Sequence, residues 1–85
     1  MNIAAAGNVE VPAYLVIIAK GYDVSREESA NSLDDVWTAR KDENSFSANG
    51  LIELLGVITI AEARGENWRA TDEEIDRFLR KFNLT

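Results

Sequence analysis

Carboxylates are the most numerous side chains in this sequence that could do chemistry. The chain has 85 residues, of which 15 are Asp or Glu, and it contains no His and no Cys. General acid–base catalysis commonly uses His, and zinc is usually held by Cys and His. The acidic pairs Asp34-Asp35 and Asp42-Glu43 offer oxygen ligands for Ca²⁺ or Mg²⁺, but the spacing of an EF-hand loop is absent. Because Asp commonly bonds its own backbone in turns, we interpret these pairs as turns and predict no metal ion.

One hypothesis for the function is an enzyme whose catalytic groups are carboxylates. It requires at least two acidic side chains to converge in a pocket that perturbs their pKa values. The glycines are isolated and match no nucleotide-binding motif, and no Ser lies in a nucleophile elbow. We therefore predict that the protein is not an enzyme and has no catalytic residue and no cofactor. The candidates under the enzyme hypothesis are Asp23, Glu27, Glu28, Asp34 and Asp35.

The charge and hydropathy of the chain exclude other classes of partner. A formal net charge of -6 repels the phosphates of nucleic acids and anionic membrane surfaces. The longest apolar run, residues 13–19, is far shorter than the roughly 20 residues that span a bilayer. The N-terminal residues lack the basic group of a signal peptide. We predict no binding to nucleic acid or membrane, and a cytoplasmic location.

The elements that position these residues begin with an ambiguous segment, residues 12–20. We expect residues 1–85 to form a single domain in which residues 1–9 are loosely ordered. A helix over 12–20 would place Pro12 in its first turn and Gly21 at its left-handed end. A strand would suit the β-branched run 16–18. The residues at both ends favour the helix, and the strand remains the alternative.

The middle of the chain predicts a small antiparallel meander. Residues 22–28, 36–41 and 45–48 have the composition of strands, and the polar segments 29–35 and 42–44 are typical of turns. Short connections between successive strands favour antiparallel neighbours.

Two helices follow the meander. We expect Asn49 to cap a helix over residues 50–64, which Gly65 ends. Thr71 and Glu74 have the spacing of a capping box at the start of a last helix, whose apolar face is formed by Ile75, Phe78, Leu79 and Phe82. The predicted fold is therefore α+β, a small three-stranded antiparallel sheet packed against two to three helices in the order α-β-β-β-α-α.

The helix predicted over residues 50–64 is apolar on two sides. Leu51, Leu54, Leu55, Ile58 and Ala61 form an ordinary core face, but four further small or apolar residues lie on another side. The second side is covered either by the first or last helix or by another protein molecule. Trp68, beside Arg69, either anchors the loop after this helix or is an exposed interface residue. The candidate interaction residues are Ile52, Gly56, Ile60, Ala63, Trp68 and Arg69.

About half of the chain resembles small bacterial domains of unknown function. The resemblance is carried by residues 46–48 and 54–56, by the run Arg64-Gly65-Glu66-Asn67-Trp68, and by residues 72–75 and 78–79. It implies a bacterial origin and no activity.

These observations predict a small acidic protein-interaction domain without enzymatic activity. Its partner is a protein, either a second copy of the chain in a homodimer or a different protein. The alternative is an acidic inhibitor or immunity-type protein that masks a basic toxin or enzyme, which the acidic segment between Asp23 and Glu43 favours.

Overall fold

Three helices and three strands follow each other in the predicted order. The computed structural model describes residues 1–28 and 35–84. Short 3-10 helices occupy Gly7–Val9 and Gly65–Asn67. The protein has an α+β fold, as predicted, with the elements α1 (Glu10–Ala19), β1 (Asp23–Glu27), β2 (Val36–Lys41), β3 (Asn44–Ala48), α2 (Leu51–Arg64) and α3 (Asp72–Lys81).

The ambiguous segment is a helix, and the strand interpretation is wrong. Pro12 lies in the first turn of α1, where its missing N–H leaves no helical hydrogen bond unmade. The chain leaves α1 at Gly21, whose φ is +96°, a conformation that glycine adopts without strain. The N–H of Gly21 donates to the carbonyl of Ile18 at 3.0 Å and closes the end of the helix.

The three strands form one antiparallel sheet in the order β1-β2-β3. Val24, Ala39 and Phe46 lie opposite one another in register. The two residues Asp42 and Glu43 turn β2 into β3, and Asp42 has a φ of +54°. A short polar side chain tolerates this left-handed conformation better than most. The predicted turn over 42–44 is confirmed at its first two residues, whereas Asn44 pairs with Lys41 and begins β3. Apart from Asp35, the predicted turn over 29–35 lies outside the described residues.

Alternation along the strands gives the sheet one polar face and one apolar face. On the polar face the hydroxyls of Thr38 and Ser47 lie 3.1 Å apart, and Arg40 donates to the Ser25 hydroxyl at 3.5 Å. The opposite face, which we call the inner face, carries Val24, Trp37, Ala39, Phe46 and Ala48.

Two helices cover the inner face of the sheet. Ile17 of α1 and Leu54 and Ile58 of α2 are fully buried and pack in one cluster with Tyr22 and Ala39. The rings of Tyr22 and Phe46 meet edge to face with their centroids 5.9 Å apart. Since α1 and α2 also pack against each other, they form a single layer, called the helix layer from here on.

The cap predicted for α2 is wrong by one residue. Gly50, with extended backbone at φ −150°, is the N-cap, and α2 begins at Leu51. The side-chain amide of Asn49 instead donates to the carbonyl of Asp35 at 3.3 Å, which joins the end of β3 to the start of β2. The Asn49 side chain therefore binds the backbone beside β2 and does not cap α2. The predicted end of α2 at Gly65 is confirmed, and Gly65 has a φ of +74°.

The capping box of α3 is confirmed. The Thr71 hydroxyl accepts from the N–H of Glu74 at 3.2 Å, and the Glu74 carboxylate accepts from the N–H of Thr71 at 2.8 Å. Across the part of the chain that the structure describes, no helix has the length and apolar character needed to cross a bilayer.

Candidate interaction surface

The second apolar side of α2 is exposed. Successive residues of a helix are about 100° apart around its axis, so Gly56 lies about 160° from the buried Leu54 and Ile58. Ile52 and Ile60, on the same outward side, are 36% and 43% exposed. Ala63 continues this side and is also exposed. The structure thus brings together four of the six predicted interaction residues in one stripe that points away from the sheet.

Gly56 has no packing partner within the described residues. A Cβ added there would meet nothing within 4 Å. Glycine within a helix is about 1 kcal/mol less favourable than alanine. The fold of the isolated chain therefore gives no reason for a glycine at this position, whereas a surface that another helix approaches closely would.

The outward side of α1 is also apolar, and sequence reasoning missed it. Val11 and Leu15 are 64% and 52% exposed, and Ile18 lies beside them. Leu15 is about 160° around the helix from the buried Ile17, so it points away from the core. The signal was present, because residues 11–19 contain no charged side chain and a helix apolar all round must be covered all round.

These two stripes form an apolar surface on the side of the molecule opposite the polar face of the sheet. We call it the helix-layer surface and define it as the outward residues of α1 and α2. It consists of Leu15, Ile18, Ile52, Gly56, Ile60 and Ala63. Val11, at the start of α1, instead borders a groove of about 410 Å³ with Val24 and Trp37 of the inner face.

A third apolar face belongs to α3. Phe78 and Phe82 are 56% and 55% exposed, their rings pair at 5.2 Å between centroids, and Ile75 beside them is exposed as well. The start of α3 is fixed by an ion pair between Arg64 and Glu74 at 3.0 Å. The capping-box bond and this ion pair lower the pKa of Glu74 below its ordinary value.

Trp68 and Arg69 lie apart from the α2 stripe. The guanidinium of Arg69 stacks over the Trp68 ring at 4.5 Å from its centroid. Trp68 lines a groove of about 490 Å³ together with Tyr22, Phe46 and Ala61. Ala61 is on the sheet-facing side of α2, so the groove and the stripe lie on different sides of the helix. The six predicted residues therefore belong to two separate places.

The groove beside Trp68 already has internal partners for its polar and aromatic groups. Glu62 on its wall pairs with Lys20 at 2.9 Å. The ammonium of Lys41 lies 5.5 Å from the centroid of the Tyr22 ring and donates to the carbonyl of Lys20 at 2.8 Å. These contacts tie α1 to α2 and to the sheet, which gives the groove a structural role.

The enzyme hypothesis requires at least two of its five candidate acids to converge in a pocket, and the two that come together in the described residues, Glu28 and Asp35, both bind the Arg26 guanidinium. Arg26 binds Asp35 at 2.6 Å and Glu28 at 3.0 Å, and the hydrogen bond to Asp35 raises the pKa of Arg26 above its ordinary value. Asp23 lies opposite Arg40 at the other end of β1, and Asp34 falls outside the described residues. Within residues 1–28 and 35–84 no group of three or more acidic side chains is arranged to hold a metal ion.

The chain exposes more surface than a folded monomer of its size. Its accessible area is 6911 Å², roughly 1,900 Å² more than the about 5,000 Å² expected for a folded monomer of 9.4 kDa. The radius of gyration is 15.3 Å, against about 12 Å for a compact domain of this length. The apolar helix-layer surface and the uncovered face of α3 contribute to this excess.

Comparison of the chain with protein-family models, with curated proteins and with solved structures finds no match.

Proposed function

We propose that the protein is an interaction module that docks its helix layer against a second copy of the same chain. The observation that carries the proposal is the contrast between the two outer sides of the molecule. The sheet has a polar outer face, whereas the helix layer has an apolar one. A helix that packs on a core normally has a polar outer side, and a large exposed apolar patch marks an interaction site.

The exposed apolar side chains of the helix layer and of α3 offer surface for an interface, which in a standard complex takes about 800 Å² from each partner. The chain exposes roughly 1,900 Å² more than expected for its mass, and this excess includes the exposed residues 1–6 as well as the two apolar faces.

The distribution of charge also supports a second copy as partner. Each copy has a net charge of -6, so two copies repel each other unless their acidic groups stay apart. Asp23, Glu27, Asp42 and Glu43 lie on the sheet, and docking through the helix layer keeps these four carboxylates away from the contact. Charges more than about 8 Å apart are largely screened at physiological salt. The helix layer itself carries Glu53, which is exposed about 20° around α2 from Ile60 and is the acidic group nearest the proposed contact.

The test is the molar mass in solution, measured by size-exclusion chromatography with light scattering. We expect the wild-type chain to show twice 9.4 kDa at high concentration. Leu15→Asp and Ile60→Asp each place a charge on the helix-layer surface and should give monomers. Ser25→Asp adds the same charge to the polar face of the sheet and should leave the dimer intact. A wild-type chain that stays monomeric at the highest concentration contradicts the proposal.

A second candidate is the masking of a basic toxin or enzyme. It is favoured by the exposed carboxylates of Asp42 and Glu43 at the tip of the β2–β3 hairpin. A basic partner co-purified from the native source should bind less tightly to Asp42→Asn/Glu43→Gln, and its binding should weaken as salt is added. Binding unchanged by this double substitution, or insensitive to salt, argues against this candidate.

A further inference from the structure

We infer that α3 is an exchanged arm whose apolar face covers the helix-layer surface of the second copy. In the dimer, each copy would contribute its arm to the other. This inference rests on the proposed self-association and adds to it which segment of the partner is bound. It follows from three features of α3: its unpartnered apolar face, the way its start is fixed, and the match between its residue spacing and that of α2.

Within residues 1–28 and 35–84 the outer part of the apolar face of α3 has no partner, and Leu79 on the same face is half-buried. Phe78 and Phe82 are each more than half exposed, and Ile75 and Leu84 at the two ends of this face are exposed too. Among the described elements α3 has only weak contact with any other. An amphipathic helix obtains most of its stability from burying its apolar face, so a helix in this state is stabilised by docking elsewhere.

The start of α3 is fixed while its apolar face stays free. Arg64, the last residue of α2, binds the Glu74 carboxylate at 3.0 Å and also donates to the carbonyl of Arg69 at 3.5 Å. The capping box holds the first turn of α3 against frayed conformations. Both interactions act at the N-terminal end of α3, so they favour the helix start and leave the apolar face free to bind.

The spacing of the aromatic residues fits the α2 stripe. Phe78 and Phe82 are four residues apart and therefore form a ridge along α3. Ile52, Gly56 and Ile60 are also four residues apart, and the glycine leaves a depression between two isoleucines. Packing of such rows into each other is the commonest mode of helix–helix contact. An aromatic ring from α3 would fill the open space above Gly56.

A second copy is the occupant that accounts for both exposed faces at once. In the described ranges 1–28 and 35–84, the outward side of the helix layer and the apolar face of α3 both expose large apolar side chains. A different protein seated on the helix layer would leave the face of α3 without a partner. Reciprocal exchange between two copies covers both faces in both chains and closes with two-fold symmetry.

Mixing two monomeric variants tests the inference. The arm variant carries Phe78→Ser and Phe82→Ser, and the layer variant carries Leu15→Asp and Ile60→Asp. We expect each variant alone to be monomeric. When they are mixed at high concentration, the intact arm of the layer variant can dock on the intact layer of the arm variant. Native mass spectrometry of an isotopically labelled pair should then show a heterodimer held by one arm.

The other outcomes separate the inference from the proposed function. An arm variant that dimerises like the wild type overturns the arm exchange but leaves dimerisation through the helix layers intact. Two monomeric variants that form no heterodimer when mixed also overturn the exchange. A wild-type monomer in which α3 is protected from hydrogen exchange would show that the arm folds back on its own chain, and both proposals would fail.

A matched control keeps the test specific. Arg77→Lys and Arg80→Lys change two side chains on the polar side of α3 without altering the net charge and should leave the wild-type dimer unchanged. The altered side chains in the arm variant are already exposed, so its helix layer and sheet should keep their fold, which circular dichroism and the dispersion of NMR signals check.

Discussion

The carboxylate of Glu74 connects two elements through one side chain. It accepts a hydrogen bond from the backbone N–H of Thr71 and forms an ion pair with Arg64, and both interactions lower the pKa of Glu74. A carboxyl group whose pKa is lower in the folded state stabilises that state above its ordinary pKa. The stabilisation is lost as the pH falls through the folded-state pKa. The attachment of α3 to α2 should therefore weaken at pH values below the ordinary pKa of a Glu carboxyl.

We predict that α3 frays in acid before the rest of the molecule does. Protonation of Glu74 removes its ion pair with Arg64 and weakens the capping box, so the helix loses its fixed start as the pH falls through the lowered pKa of Glu74. The Cα chemical shifts of residues 72–81 in the monomeric layer variant would report this loss. Glu74→Gln keeps a capping-box side chain without a charge, so its α3 should give a flatter profile over the same pH range. Identical profiles for the two proteins would contradict the assigned role of the Glu74 carboxylate.

Local signals of this kind could be read from the sequence. The spacing of Thr71 and Glu74 and the glycines at positions 21 and 65 predicted correctly where one helix starts and where two helices end. The choice of Asn49 as a cap failed because its amide binds the backbone of Asp35. That hydrogen bond joins the residue after β3 to the residue before β2, so it forms only once the two strands pair. A local sequence pattern carries no information about this pairing.

At the scale of elements, α1 shows why hydrophobic periodicity did not distinguish a helix from a strand. Residues 11–19 are apolar on every side, so a helix and a buried strand predict the same pattern. Pro12 and Gly21 resolved the choice because they report the two ends of a helix rather than its faces. The antiparallel arrangement of the three strands could be predicted because the segments that connect successive strands are short. The apolar outer side of α1 could be read from the uncharged run 11–19, but whether the outer sides of α1 and α3 are covered or exposed depends on tertiary packing, which the local sequence does not contain.

Two glycine substitutions should have opposite effects on the free energy of unfolding. Gly21→Ala forces a side chain into a φ of +96°, and its Cβ would lie 3.3 Å from the Lys41 side chain. We expect a loss of about 1 kcal/mol or more from this strain. Gly56→Ala places a methyl group in open space within a helix and should add about 1 kcal/mol to the stability of the monomer. Urea unfolding of both substitutions in the layer variant, where dimerisation is removed, measures the two effects.

The same Gly56→Ala substitution should weaken the dimer of the otherwise wild-type chain. Under the arm-exchange proposal its methyl group occupies the space that a Phe ring of the partner would fill. A stabilised monomer combined with a larger dimer dissociation constant is the expected pair of results. A dimer unaffected by the methyl group would place Gly56 outside the contact.

For the whole molecule, the salt dependence of binding distinguishes a second copy of the chain from a basic partner protein. Two copies with a net charge of -6 each repel each other, and added salt screens that repulsion. We predict that the dimer dissociation constant falls between about 50 and 500 mM NaCl, since the apolar contact itself does not weaken over this range. Sedimentation equilibrium at several salt concentrations gives this trend. A dimer that dissociates on addition of salt would indicate a contact made mainly by opposite charges.

The polar face of the sheet determines how far assembly proceeds. Its hydroxyls and the Arg40 guanidinium bond to one another across the strands and remain hydrated. In a two-fold pair joined through the helices, each outward boundary is therefore a wettable sheet that offers no apolar site for a third chain. If two copies join through their helices, this polar face should oppose growth beyond two subunits, because the strands that contribute Ala39 and Phe46 to the core present hydroxyls on their other side.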